Sequence, residues 1–299
     1  MKNLSFKYEK ILVPLDGSDL AERALMPAIE IAAAMSAEIV CLSEVTGLSL
    51  DLDPQFNRRV IKARERAANL YLQSLQDRFS KYDVIMNTSI TVGPAAKMIV
   101  KYAKEKAIDL IVTTSHGVTG LKRWVYGSVA IKILRQAPCD TLMVRPLTGD
   151  EPFSKSRLLV PLDGSKRAER ALKPAVALAS AWDMDILLLR VSPLAYTEFE
   201  PIDGGQMFSD IESQVREEAR AYLHDLRASL ARQHRSIKTE SIIGTPAAAI
   251  VDYANEQKVD MIVMSSHGHT GLGLWLMGSV SEKILRRANC ATLIVRPVA

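Results

Sequence analysis

The chain has 299 residues, a formal net charge of +4 and a hydrophobic content of 48%. This length predicts about two domains, and so weak and scattered a charge argues against a nucleic-acid-binding protein. The first ten residues are charged and lack the apolar region of a signal peptide, and no apolar run approaches the roughly 18 residues that span a membrane. Three cysteines without a Cys-x-x-Cys pair predict a reduced, cytoplasmic protein.

The sequence is a tandem duplication. The segment KILVPLDGSDLAERAL at Lys10–Leu25 is repeated as RLLVPLDGSKRAERAL at Arg157–Leu172. A period of about 150 residues predicts two copies of one domain and not a solenoid. We expect domains at residues 1–147 and 156–299, joined by a linker at 148–155 that contains proline, glycine and charged residues.

Taken in chain order, strand patterns alternate with helical patterns. In the first repeat the predicted strands are residues 11–15, 38–45, 84–92, 110–113 and 141–145. The predicted helices are residues 20–35, 58–79, 95–106 and one that opens at Gly127-Ser128, and residues 46–57 form a polar connection. In the second repeat, strands are predicted near residues 158–162, 185–191, 237–243, 261–264 and 292–295. Such alternation predicts an α/β fold whose parallel sheet is covered by helices on both faces.

One motif follows the fourth strand. The turn Ser115-His116-Gly117 is followed by Gly127-Ser128, and the second repeat has Ser266-His267-Gly268 and Gly278-Ser279 at the same spacing. The N–H groups and the dipole of a helix start favour an anion, and glycine lets a phosphate approach the backbone. Ser128 is expected to act as the N-cap and to add a hydroxyl donor. The alternative is that these glycines only serve tight turns.

A second motif follows the first strand of each repeat. Val13–Ser18 reads VPLDGS, and Val160–Ser165 has the same six residues. An acid at the carboxyl end of the first strand, Asp16 or Asp163, faces the crevice of a doubly wound sheet. There it could accept hydrogen bonds from a ribose or hold a metal on phosphates. Alternatively, it only caps a turn.

Together the two motifs resemble the universal stress protein family, over nearly the whole chain and as two tandem copies. Nucleotide-binding members carry G-x2-G-x9-G-[ST] after strand four and an Asp after strand one. The x9-G-S portion fits from Gly117 to Gly127-Ser128 and from Gly268 to Gly278-Ser279. Thr114 and Ser265 stand in place of the first glycine.

The resemblance implies two flavodoxin-like, doubly wound domains, each with a five-stranded parallel sheet of order 3-2-1-4-5. It also implies ATP or ADP in each crevice, with Mg²⁺ as a candidate companion ion, and adenine contacted by the backbone around Glu44 and Val191. The implied nucleotide-binding residues are Pro14, Leu15, Asp16, Glu44, Ser115, Gly117, Gly127, Ser128 and Val129, and in the second copy Pro161, Leu162, Asp163, Val191, Ser266, Gly268, Gly278, Ser279 and Val280.

The family often dimerises through its last strand. The tandem chain is therefore expected to form an internal pseudo-dimer with residues 141–145 beside residues 292–296, and a homodimer is a further expectation. Such pairing would remove two exposed sheet edges. No membrane or nucleic-acid partner is expected, and the sequence does not identify a protein partner.

The function implied is that of a stress-response or signalling module with ATP as a bound regulator. No catalytic residue and no metal ligand are assigned, because one histidine per site, His116 or His267, makes no triad and no metal-ligand spacing. The P-loop motif is also absent. A slow ATPase, a flavin protein and an interaction module with empty crevices stay open as alternatives, the last because of Thr114 and Ser265.

The two sites are expected to be unequal. Glu44 in the first repeat corresponds to Val191 in the second, and Lys122-Arg123 corresponds to Gly273-Leu274. Because salt screens surface charges, this pattern predicts that nucleotide affinity falls with rising salt at the first site more than at the second.

Overall fold

A computed structural model describes residues 6–47, 54–114, 127–145, 154–193, 206–266 and 277–296. The chain divides into two compact units, one of Lys7–Phe153 and one that contains Ser154–Ala299. The predicted site residues Ser115, Gly117 and Gly268 lie outside the described residues, as do both histidines of the motif and the Lys122-Arg123 pair.

In the first unit, strands and helices alternate as predicted. The strands are β1 to β5, at Lys10–Leu15, Glu38–Val45, Met86–Val92, Leu110–Thr114 and Asp140–Val144. The helices are α1 to α5, at Asp19–Glu22, Leu25–Met35, Pro54–Phe79, Ala95–Glu105 and Ser128–Gln136.

The second unit repeats this order. Its strands are β6 to β10, at Arg157–Leu162, Asp185–Ser192, Ile237–Ile243, Met261–Ser265 and Ala291–Val295. A 3-10 helix spans Ala168–Ala171, and the helices are α6 to α9, at Leu172–Trp182, Gln206–Leu230, Pro246–Glu256 and Ser279–Arg287.

Each sheet is parallel and has the predicted order. In the first unit β2 pairs with β3 and β1, β1 pairs with β4, and β4 pairs with β5. In the second unit the corresponding pairs are β7 with β8 and β6, β6 with β9, and β9 with β10. The doubly wound α/β fold with strand order 3-2-1-4-5 is therefore confirmed. In such a sheet ligands bind beyond the carboxyl ends of the strands, where the strand order reverses between the first and fourth strands of the unit.

The sheets are buried because their strands carry long apolar runs. On one face of the first sheet, Leu12, Val40 and Leu42 pack in one cluster with Ile99 of α4 and Ile133 of α5. Successive side chains of a strand point to opposite faces, so the alternate residues of β1 and β2 face the other layer, where α2 and α3 contact these strands.

One aspartate in each unit joins the amino end of the first strand to the fourth. The Asp109 carboxylate accepts hydrogen bonds from the backbone N–H groups of Glu9 and Lys10, both at 2.9 Å. Asp260 does the same for Ser156 and Arg157, at 2.7 and 2.9 Å. These acids stabilise the edge opposite the crevice and so hold the strands whose other ends carry the predicted site.

Two helix boundaries differ from the sequence prediction. The helix expected over residues 20–35 is two helices, because Pro27 cannot donate the N–H bond that a continuous helix requires and is accommodated instead in the first turn of α2. Helix α3 begins at Pro54, inside the segment predicted to be a connection. Proline suits the first helical position, since the N–H that it lacks would have no partner there.

None of the helices in the described part of the chain is both long enough and apolar enough to cross a membrane.

Candidate functional site

A tight turn follows the first strand of each unit. Gly17 and Gly164 have φ angles of +83° and +86°, which glycine adopts without strain. Asp16 Oδ1 accepts from the backbone N–H of Ser18 at 3.0 Å, and Asp163 Oδ1 accepts from that of Ser165 at 2.9 Å. Each aspartate therefore does order a turn, through one of its carboxylate oxygens.

A helix start follows the fourth strand of each unit. Gly127 and Gly278 are the N-caps of α5 and α9, and neither helix has a side-chain cap. The prediction that the serine caps the helix is wrong, because Ser128 and Ser279 are the first helical residues. An oxygen-bearing cap would occupy one of the first N–H groups of the helix, and a glycine cap leaves them available to a ligand.

The two cap glycines are not required by the backbone. Their φ angles are −60° and −62° with ψ of 149° and 146°, a region open to every residue type. The tight-turn explanation therefore does not apply at Gly127 and Gly278. Because glycine has no Cβ, it would let a ligand approach the helix start closely.

In the second unit the two motifs line one cavity of about 340 Å³. This volume lies within the usual range for small-molecule sites. Ala168, Ile250, Met264 and Ile284 contribute apolar wall. The predicted residues that line the cavity are Pro161, Leu162, Asp163, Val191, Gly278, Ser279 and Val280.

Ser266, also predicted for this site, lies in a second layer. It is fully buried, and its backbone carbonyl accepts a hydrogen bond from the Gly278 N–H at 2.9 Å. The Ser281 hydroxyl donates to the Ser265 carbonyl at 3.2 Å. These two bonds fix the start of α9 against the end of β9.

In the first unit the predicted residues occupy the equivalent strand and helix ends. Pro14 and Leu15 end β1, Glu44 lies near the end of β2, and Ser128 and Val129 open α5. The strand registers match across the units: Leu15 pairs with Ser43, and Leu162 pairs with Arg190.

Glu44 gives the first crevice a polar character. Its Oε1 is buried without a hydrogen-bond partner among the described residues, and so is Oγ1 of Thr91, its register partner on β3. Burial raises the pKa of Glu44 to about 8; a backbone hydrogen bond opposes the rise, and the charge of Asp16 adds to it. The equivalent pair in the second unit is Val191 and Ile242.

Arg190 gives the second crevice a cation that the sequence analysis missed. Arg190 is one of the residues that line the cavity, and its guanidinium lies 5.1 Å from the centre of the Tyr222 ring, on α7. The Tyr222 hydroxyl donates to Glu169 at 3.3 Å. An arginine within a strand does not by itself indicate a binding site. The first repeat, however, has Ser43 at the equivalent position, and this difference between the repeats could have drawn attention to Arg190.

No group of three His, Cys, Asp or Glu side chains within the described ranges could hold a metal ion. Asp16 and Asp163 follow the first strand of each unit, and each offers one carboxylate at its crevice. A Mg²⁺ ion would fit there as it commonly binds, through one carboxylate together with ligand phosphates and water.

Comparison with known proteins gives a consistent result. The chain is 30% identical over 141 residues to a universal stress protein of Methanocaldococcus jannaschii, covering 47% of this chain and 81% of that protein. It is also 30% identical over 146 residues to the universal stress protein YxiE of Bacillus subtilis, covering 47% of this chain and 99% of YxiE.

Among solved structures, a universal stress protein from Archaeoglobus fulgidus has the same fold. Its TM-score is 0.73 at 19% sequence identity, and the match covers 97% of this chain and 99% of that one. The model of the Universal stress protein family matches this sequence twice, at residues 7–145 and 155–296. The chain is therefore a tandem two-domain member of the universal stress protein family.

Proposed function

We propose that each domain binds an adenine nucleotide, ATP or ADP, and that the bound nucleotide regulates the protein in a stress response. The observation that carries this proposal is the cavity of the second domain. A carboxylate, a helix start with a glycine cap and an apolar wall meet there within about 340 Å³. These are the groups that a ribose, a phosphate and a purine need, respectively.

The roles in the second domain follow from position. Asp163, at the carboxyl end of β6, would accept hydrogen bonds from ribose hydroxyls through its carboxylate. The N–H groups of Ser279 and Val280, in the first turn of α9, would hold phosphate oxygens, and Gly278 leaves space for them. The backbone at Val191 would contact adenine. Asp16, Gly127 and Glu44 would act likewise in the first domain.

Companion chemistry belongs to the same proposal. Mg²⁺, where present, would be bound largely through the nucleotide phosphates, with Asp16 or Asp163 as protein ligand. Hydrolysis is the enzyme alternative, and release of phosphate from ATP by the purified protein would favour it. A cytoplasmic location remains a proposal from the sequence.

The experiment is native mass spectrometry of the freshly purified full-length protein, followed by ATP titration after removal of any ligand. Co-purified ATP or ADP, or saturable binding of ATP, supports the proposal. FMN at the same stage would favour the flavin alternative. If no ligand co-purifies and ATP does not bind, nucleotide binding is contradicted. An interaction module with empty crevices is then the alternative that is left.

A further inference from the structure

Arg190 is positioned to bind a ligand and not only to pack. Arg190 is one of the residues that line the cavity of the second domain, and its guanidinium has no hydrogen bond or ion pair within the described residues. A guanidinium carries five N–H donors in a planar fork that matches phosphate. A ligand that fills this cavity would displace the water that hydrates those donors. An anionic group on the ligand could then accept their hydrogen bonds in place of the water.

The location of the guanidinium selects one part of the ligand. Its Cζ lies 3.5 Å from the position that a Cβ on Gly164 would occupy, so it covers the Asp163-Gly164 turn. The Tyr222 ring supports it from α7. In the proposed function this turn faces the ribose, and the start of α9 holds the 5′ phosphates. Arg190 therefore marks a second anion position on the ribose side of the cavity.

The first domain lacks this feature. Ser43 occupies the register position of Arg190, opposite Leu15 as Arg190 is opposite Leu162. The turn at Asp16 and Gly17 is otherwise similar, and a Cβ on Gly17 would meet nothing within 4 Å. Beside this turn, the second domain therefore has a cation that the first domain lacks.

We propose that the second domain prefers an adenosine nucleotide with an additional phosphate on its ribose, bound by Arg190 beside Asp163. The 2′ and 3′ positions share this chemistry. Dinucleotide-binding sheets use an acid for a free ribose hydroxyl and an arginine for a 2′-phosphate, and here Asp163 would bind the remaining hydroxyl while Arg190 binds the phosphate. The inference rests on the proposed function and narrows it for one of the two sites.

The test is calorimetric titration of the full-length protein with AMP, adenosine 2′,5′-bisphosphate and adenosine 3′,5′-bisphosphate. One of the bisphosphates should bind about tenfold more tightly than AMP, since a hydrogen-bonded charge pair stabilises a complex by roughly that factor. The two bisphosphates distinguish the 2′ from the 3′ position.

The variant Arg190→Ser should remove the preference, so that neither bisphosphate binds this variant more tightly than AMP does. Arg190→Lys keeps the charge without the fork and should retain part of the preference. The control Arg227→Ser removes an exposed positive charge elsewhere on α7 and should change neither the preference nor AMP binding. Thermal unfolding of each variant by circular dichroism shows whether the fold is intact.

The outcomes separate the two proposals. Equal binding of AMP and both bisphosphates overturns the ribose-phosphate inference and leaves nucleotide binding in place. A preference that survives Arg190→Ser also overturns it, because Arg190 is then only a packing residue over Tyr222. Failure of ATP and all three other nucleotides to bind overturns both.

Discussion

Glu44 makes the stability of the first domain depend on pH. Its pKa is raised from 4.5 to about 8, so the folded state keeps a proton that the unfolded state releases. This contribution is fully present below about pH 4.5 and is lost as pH rises through about 8, because the unfolded state then gains from ionisation and the folded state does not. Glu44→Gln should therefore flatten the decline in unfolding free energy over this window.

Urea unfolding followed by circular dichroism between pH 5 and 9 measures this effect. The matched control is Glu38→Gln, which removes a carboxylate from the same strand that forms an ion pair with Lys10 at 3.5 Å. Parallel pH profiles for wild type and Glu44→Gln would contradict the assignment.

Gly278 should matter for binding and not for folding. Its backbone angles are open to valine, so Gly278→Val should lower the melting temperature of the ligand-free protein little. The side chain would enter the space beside the first N–H groups of α9 and weaken ATP binding by about tenfold or more.

The contrasting variant is Gly164→Val, at φ +86°, where a β-branched residue is strained. It should destabilise the protein by about 1–2 kcal/mol. Calorimetry and thermal unfolding of both variants check these expectations. A large loss of stability in ligand-free Gly278→Val would mean that this glycine is structural instead.

At the scale of elements, several helices end in a left-handed residue that is not glycine. Ala107 and Lys258 follow α4 and α8 with φ of 49°. The N–H of Ile108 then donates to the carbonyl of Ala103 at 2.9 Å, and that of Val259 donates to Ala254 at the same distance. These are Schellman motifs, which usually have glycine at the left-handed position.

Ala107→Gly should accordingly stabilise the first domain by about 0.5–1 kcal/mol, the relief of strain less the entropy that glycine adds to the unfolded chain. Ala103→Gly is the control: within α4, at a buried position, it should destabilise. Chemical unfolding of the two variants gives the signs. A destabilising Ala107→Gly would contradict this account of the helix end.

Sequence reasoning located the elements better than their ends. The strand Glu38–Val45 was predicted with its observed bounds, because an apolar run between turn residues marks a buried strand. The left-handed ends at Ala107 and Lys258 were not predictable, since neither residue type signals that conformation. The division at Pro27 was predictable from the proline but was missed.

The candidate site shows the same limit. Asp163, Gly278 and Ser279 are recognisable because motif spacing survives in the sequence, and the structure brings them to one cavity. Arg190 and Tyr222 come together only through packing of α7 on the sheet, so no linear spacing records their contact. The protonation of Glu44 depends on burial, which its strand pattern does not reveal.

For the whole molecule, the two sites should respond differently to pH. Above pH 8 Glu44 becomes charged beside Asp16, whereas Val191 cannot ionise. Two cations of the neighbouring helices do not offset this charge: Arg64 of α3 donates to the Thr46 carbonyl, and Lys97 of α4 is exposed. Within the described residues, Asp16 is the charged group that acts on Glu44. ATP affinity at the first site should therefore fall between pH 7 and 9.

The variants Gly278→Val and Gly127→Val, which leave the first and the second site respectively, measure this difference by calorimetry. Adding Glu44→Gln to Gly278→Val should remove the pH effect. The same variants at low and high salt test whether Lys122 and Arg123 make nucleotide affinity at the first site more sensitive to salt. Arg190 is a cation of the second site and should reduce this difference between the sites. Equal pH dependence at the two sites would contradict the role given to Glu44.

In the proposed function, the glycine-capped starts of α5 and α9 hold the phosphates of an adenine nucleotide. The most direct test of this binding is calorimetric titration of ligand-free, full-length protein and of the double variant Gly127→Val/Gly278→Val with ATP. We expect ATP to bind saturably to the wild type and not to bind a double variant that remains folded by circular dichroism. A double variant that binds ATP as the wild type does, or a wild type that binds none, would contradict this expectation.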